Sequence, residues 1–103
     1  MNLILIREVN RFVVSLEKPT IGKWLRHLDL LEMYGESLGM PHVRRIGNGL
    51  FELRIRGIQE VRTLFVFRND NVIILHVFIK KTQKIPQKEI MIASNRLRSL
   101  TGL

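Results

Sequence analysis

A chain of 103 residues, 46% apolar and 25% charged, suits one compact α+β or similarly small domain over residues 1–103 and is too apolar for a disordered tail. The absence of cysteine excludes disulfides, a thiol nucleophile and a zinc–thiolate centre; no apolar run approaches the roughly 20 residues of a membrane span, and the apolar stretch 1–6 is too short and lacks the basic leader of a signal peptide, so a cytoplasmic protein without membrane contact is expected. The net charge of +8 is unevenly spread: residues 1–40 carry five Lys/Arg against five Asp/Glu, whereas residues 41–103 carry twelve against four, which describes a neutral scaffold joined to a polyanion-facing half or a generally basic protein.

In chain order, residues 2–7 read as a first strand. Val9, Phe12, Val13 and Leu16 then recur at helical spacing over residues 8–16. Pro19 cannot continue that helix, and Ile21, Trp24, Leu25, Leu28 and Leu31 restart the spacing over residues 20–34, so a helical hairpin is expected. Gly35, Gly39 and Pro41 mark a loop. The period then changes to two. Residues 42–46 form a strand, Gly47-Asn48-Gly49 a turn, and residues 50–56 a strand with Phe51, Leu53 and Ile55 on one face and Glu52, Arg54 and Arg56 on the other. Residues 61–68 follow as a strand, Asn69-Asp70-Asn71 as a tight turn, and residues 72–80 as a nearly all-apolar central strand. After the polar connection 80–85, Pro86 suits a first helical turn, and Ile90, Ala93, Leu97 and Leu100 mark a last helix. The fold class is α+β: N-terminal strand and helical hairpin, antiparallel sheet, C-terminal helix.

Two strands carry charges at period two: Glu52, Arg54 and Arg56 on one, Arg62 and Arg68 on the next. A hairpin sets such residues side by side, where like charges cost stability unless an anion is bound; the alternative is an ordinary solvated sheet face. Lys80, Lys81, Lys84 and Lys88 add four cations at the end of the central strand, either a functional loop or a solvated charge run. His76, mid-strand among apolar neighbours, is a buried hydrogen-bonded residue or a proton-transfer group. The scattered histidines have no metal-ligand spacing, and no phosphate loop or nucleophilic serine signature is present, so neither metal nor cofactor is expected. With RNA as ligand, the ribose 2′-OH supplies the nucleophile; arginines stabilise the phosphate, and Glu52, His76 or a lysine of lowered pKa moves protons.

Gly49-Leu50-Phe51-Glu52-Leu53-Arg54, then Phe78-Ile79-Lys80-Lys81-Thr82-Gln83-Lys84-Ile85-Pro86 and Glu89-Ile90, with Leu38-Gly39-Met40-Pro41 upstream, closely resemble the phage-derived branch of the RelE/HigB toxin superfamily. The resemblance implies a RelE-like, microbial-ribonuclease-type fold. It implies a type II toxin that cleaves messenger RNA on the ribosome without metal, leaving a 2′,3′-cyclic phosphate. It also implies a cognate antitoxin, often of helix-turn-helix type, with operator DNA bound only through the complex. By position, Arg62 matches the catalytic strand arginine, Lys80 and Lys81 the basic pair after the last strand, and Glu52 a glutamate some relatives use as base. Arg54 and Arg56 match RNA-binding cations, and Arg68, Lys84 and Lys88 extend that basic set. Several relatives carry a tyrosine near the C-terminal end; here Tyr34, in the helical half, is the only one. The alternative is a non-cleaving RNA- or ribosome-binding module of the same fold.

Overall fold

A computed structural model describes residues 1–100. One sheet is built from β1 (Asn2–Leu5), β2 (Val43–Gly47), β3 (Leu50–Ile55), β4 (Val61–Arg68) and β5 (Asn71–Ile79), in the spatial order β1-β5-β4-β3-β2. The helices are α1 (Arg7–Val13), α2 (Lys18–Tyr34) and α3 (Gln87–Ser99), and one 3-10 turn, Gly35–Ser37, follows α2. The expected α+β class is what forms. The sheet is not wholly antiparallel, because β1 runs parallel to β5, with Leu3 opposite Val72 and Leu5 opposite Ile74. A parallel pair needs a crossover, and everything from α1 to β4 supplies it.

Local chemistry sets the turns. Asn69 and Asp70 both have positive φ (51° and 64°), which suits the two-residue hairpin between β4 and β5. Gly47, Asn48 and Gly49 all lie at positive φ between β2 and β3. Pro19 occupies the first turn of α2, where its missing N–H costs nothing, so that helix starts earlier than its apolar spacing suggests. Pro86 is extended and caps α3 rather than entering it.

Each face of the sheet has its own core. On one, Val9 and Val13 of α1 and Trp24, Leu28 and Leu31 of α2 pack on Leu53, Ile55, Phe65, Ile74 and Val77. The two helices lie on the sheet more than on each other, so the expected hairpin is not a tightly packed pair. Each needs a broad apolar surface for its stripe, and the sheet provides it. Within this core the Trp24 indole N–H donates to Thr63 Oγ1 at 2.9 Å. On the other face, Ala93 of α3, with Ile90 and Leu97, packs on Leu64, Val66, Ile73, Leu75 and Phe78.

A bulge changes the phase of β5. Leu64 lies opposite His76 while Phe65 lies opposite Ile74, so Leu75 is an extra residue. Ile73 and Leu75 face the α3 side before it, and His76 and Phe78 after it.

Candidate nucleic-acid interface

Helix α3 packs chiefly against β5 and β4 on its sheet face. Beyond it, the register assembles charged side chains. Arg44 of β2 lies opposite Glu52 of β3, and Arg54 of β3 lies directly opposite Arg62 of β4. Residues two apart share a face, so all four project from the same side. The Lys80 N–H donates to the Glu60 carbonyl at 2.7 Å, which ties the chain after β5 to the start of β4. The result is an open cleft of about 920 Å³ lined by Arg44, Arg54, Arg56, Glu60, Arg62, Lys80, Lys81, Thr82 and Gln83. Six cations face one carboxylate.

Glu52 projects from the side its alternation predicts, but it is buried there. It is 0% exposed, not on an open polar face. Its Oε2 lies 3.3 Å from Arg62 Nε and its Oε1 lies 3.4 Å from Arg44 Nε. Neither oxygen accepts a well-directed hydrogen bond, so the pairing is of charge with charge. A carboxylate so deep would be untenable unpaired; flanked by two guanidiniums it becomes the anchor on which both are set. Arg62 is itself buried, and its Nη1 donates to the Val61 carbonyl at 3.1 Å and to Glu60 Oε2 at 3.3 Å. Its atoms are therefore held on several sides before any ligand arrives.

Lys80 is half-buried at the cleft. Desolvation pushes its pKa below the ordinary lysine value, and the neighbouring Arg62 guanidinium pushes the same way. Lys81 is exposed at the same mouth.

His76 does not join the cleft. Its Nε2 lies 2.7 Å from Glu89 Oε1 and its Nδ1 lies 3.2 Å from Arg96 Nη1, both partners on α3. Arg96 can only donate, so Nδ1 accepts and Nε2 carries the proton toward Glu89. Arg96 also donates to the Leu75 carbonyl at 2.9 Å, beside the bulge. Burial pushes the His76 pKa down, against the pull of Glu89. Both of its ring nitrogens are engaged by side chains of α3.

The remaining cations separate. Arg54 and Arg56 line the cleft; Arg68 stands at the opposite end of β4, across from Asn71 at the hairpin turn. Lys84 lines a neighbouring hollow with Arg44 and Arg45, and Lys88 is exposed on α3. A strand of eight residues spans over 20 Å, so its two end arginines cannot share a ligand group, a separation that the period-two pattern does not reveal. Sequence reasoning passed over Arg44 and Glu60. Arg44 had a signal, its place in a strand before the glycine turn, but only the β2–β3 register brings it to Glu52. Among the described residues no three His, Asp or Glu side chains gather as a metal-holding group, and no helix is long and apolar enough to cross a membrane.

Residues 11–98 match the family described as "Phage derived protein Gp49-like". A Mycobacterium tuberculosis protein named as toxin HigB3 is 35% identical over 71 residues, 65% of this chain. The chain spans 61% of the length of that curated relative. The fold is similar to a chain in the crystal structure of the intact E. coli RelBE toxin-antitoxin complex, at TM-score 0.63, 10% identity, and coverage of 79% of this chain and 98% of that one. It is also similar to a chain in the archaeal RelE-RelB complex from Pyrococcus horikoshii, at TM-score 0.53, 19% identity, and coverage of 76% and 92%. At such identities the structural likeness is one of fold.

Proposed function

Given that the chain belongs to the Gp49-like family of phage-derived proteins, we propose that it is the toxin of a toxin–antitoxin pair, an endoribonuclease that cleaves messenger RNA on the ribosome by attack of the RNA's own 2′-OH. The observation that carries this reading is the Arg54–Arg62 pair. The two residues are Cα partners on adjacent strands, in a cleft lined by six cations and the carboxylate of Glu60, with Glu52 buried against Arg44 and Arg62. Like charges opposed in this way destabilise a sheet, and an anionic ligand reverses the sign of that contribution.

The proposed chemistry needs three things from the protein. The 2′-oxygen must lie in line with the phosphorus, the crowded anionic phosphate must be stabilised, and protons must move. Arg62 and Arg44, both set by Glu52, grip the phosphate; arginine stays charged and offers planar pairs of donors. Lys80, with its lowered pKa, accepts the 2′-OH proton as the bond from the 2′-oxygen to phosphorus forms. The bond from phosphorus to the 5′-oxygen breaks, and Lys81 at the mouth returns a proton to the departing oxygen. The products are a 2′,3′-cyclic phosphate and a 5′-hydroxyl. Glu52 serves as an anchor in this scheme, and His76 takes no part. No step calls on a metal.

The partner proposed is an antitoxin of helix-turn-helix type that covers the cationic cleft or displaces α3, with operator DNA reached only through the complex. Support comes from the similar folds, one crystallised in a toxin–antitoxin complex and the other in a RelE-RelB complex. It comes also from α3 itself, in which Ala93 is the only fully buried residue.

The test is induced expression in a bacterial host of the wild type beside Arg62→Lys and Arg54→Ala, with transcript ends mapped. Growth arrest with cuts inside translated messages, lost or strongly weakened in both variants, is expected. A soluble, folded wild type that neither arrests growth nor cuts would overturn the reading in favour of a non-cleaving RNA-binding module.

A further inference from the structure

A second hollow adjoins the cleft, and Arg54 and Arg56 line both. It measures about 330 Å³ and is completed by Lys23, Arg26 and His27 of α2 and by His42 just before β2. Among the described residues, no carboxylate lines it. The cleft itself is lined by no aromatic ring, whereas the hollow holds two imidazoles, His27 and His42, edge to face at 5.6 Å. His27 Nδ1 lies 2.7 Å from the Lys23 carbonyl, which can only accept, so Nδ1 donates this bond and Nε2 is the ring's other polar edge. The Arg54 backbone N–H donates to the His42 carbonyl at 2.8 Å, which ties the His42 backbone to the strand that carries the shared arginine.

A cationic track with flat rings set along it is the arrangement that holds single-stranded nucleic acid: phosphates follow the charges and bases stack on the rings. We propose that the hollow is a flanking-nucleotide subsite. An RNA strand with its reacting phosphate in the cleft crosses Arg54 and Arg56, lays a neighbouring phosphate on Lys23 and Arg26, and stacks the attached base against the His27–His42 pair. His27 Nε2 is the ring atom within that stack able to hydrogen-bond the base or a 2′-OH. The inference rests on the cleft being the RNA site, and it adds a second contact that the cleft chemistry does not require.

The experiment measures binding of fluorescent 2′-O-methyl RNA, which the proposed chemistry cannot cut, as a dinucleotide and as an octanucleotide at several salt concentrations. The wild type should hold the octanucleotide tighter by about tenfold or more. The His27→Ala/His42→Ala double variant should lose most of that gain while binding the dinucleotide as before. His42→Phe, which keeps a ring, should retain it. Arg26→Ala should flatten the octanucleotide's salt dependence by about 0.7 in logarithmic slope. Unchanged octanucleotide binding in the double variant, or equal loss for both lengths, would overturn the subsite. A wild type that binds the dinucleotide but holds the octanucleotide no tighter would overturn it and leave the cleft reading intact; one that binds neither would remove both.

Discussion

Glu52 Oε2 lies 3.3 Å from Arg62 Nε, with Glu52 0% and Arg62 4% exposed. The most buried carboxylate of the chain thus sits diagonally across two strands from a buried guanidinium, in a face otherwise crowded with cations. Burial of this kind gives position rather than stability, since desolvation cancels much of the attraction.

Substituting Glu52→Gln keeps the shape and removes the charge, leaving two arginines without their common anchor. The expected loss is about 3 kcal/mol, toward the low end for a broken buried pair because Arg62 retains Glu60 and the Val61 carbonyl. Urea denaturation reads it as a lower midpoint at constant slope. A loss below about 0.5 kcal/mol, the size of an ordinary surface change, would show that the pair is not an anchor.

Lys80→Arg keeps the charge in the cleft but cannot take up a proton near neutrality. If Lys80 is the acceptor, cleavage by the wild type rises with pH as the amine deprotonates, over a range displaced below that of an ordinary lysine. The variant should lose that rise and fall by about a hundredfold or more. Single-turnover cleavage across a pH series distinguishes this from weakened RNA binding; a parallel profile with only an offset would reassign the proton acceptor.

His76 couples the docking of α3 to pH. Its folded pKa is depressed below 6.5, so at mildly acid pH the unfolded chain binds more protons at this residue than the folded one. Its contribution is therefore complete above about pH 6.5 and is lost as the pH falls from there toward the folded value. Protonation would also turn Nδ1 from an acceptor into a donor facing Arg96, while Glu89 opposes the effect; Glu8 and Arg11 of α1, of opposite charge, line the same hollow. Thermal melts of the wild type should drop across this window, and those of His76→Gln should drop less. Identical profiles would remove His76 from the linkage.

Thr63→Val replaces the hydroxyl that receives the Trp24 indole N–H by a methyl of similar volume. The buried donor is then unsatisfied, and a loss of about 1–3 kcal/mol is expected in chemical denaturation. In a Trp24→Phe background the same change should cost clearly less, because no donor remains to be stranded. Equal costs in both backgrounds would show that the bond carries no weight.

The strands and helices were legible because their signals are local. Trp24, Leu28 and Leu31 at helical spacing, and Asn69-Asp70 between two apolar runs, need no partner to be read. The family was legible as well, in the motif around Glu52 and the segment from Phe78 to Pro86, and residues 11–98 match it. The cleft was legible in outline: Arg54, Arg56, Arg62, Lys80 and Lys81 do come together. What was not legible depends on register. The bulge at Leu75 adds one residue to one strand, and no periodicity reports it until the two strands are paired.

Composition, turn chemistry and hydrophobic period thus determined the α+β class, the order of the elements and the wealth of cations in the second half. Only the tertiary structure decided which charges meet. That Glu52 is buried between Arg44 and Arg62 follows from the pairing of three strands. That His76 meets Glu89 and Arg96 follows from the docking of α3 on β5. The physical reason is common to both: a side chain's chemical role follows from its solvation and its charged neighbours, and strand pairing brings those neighbours from distant parts of the chain.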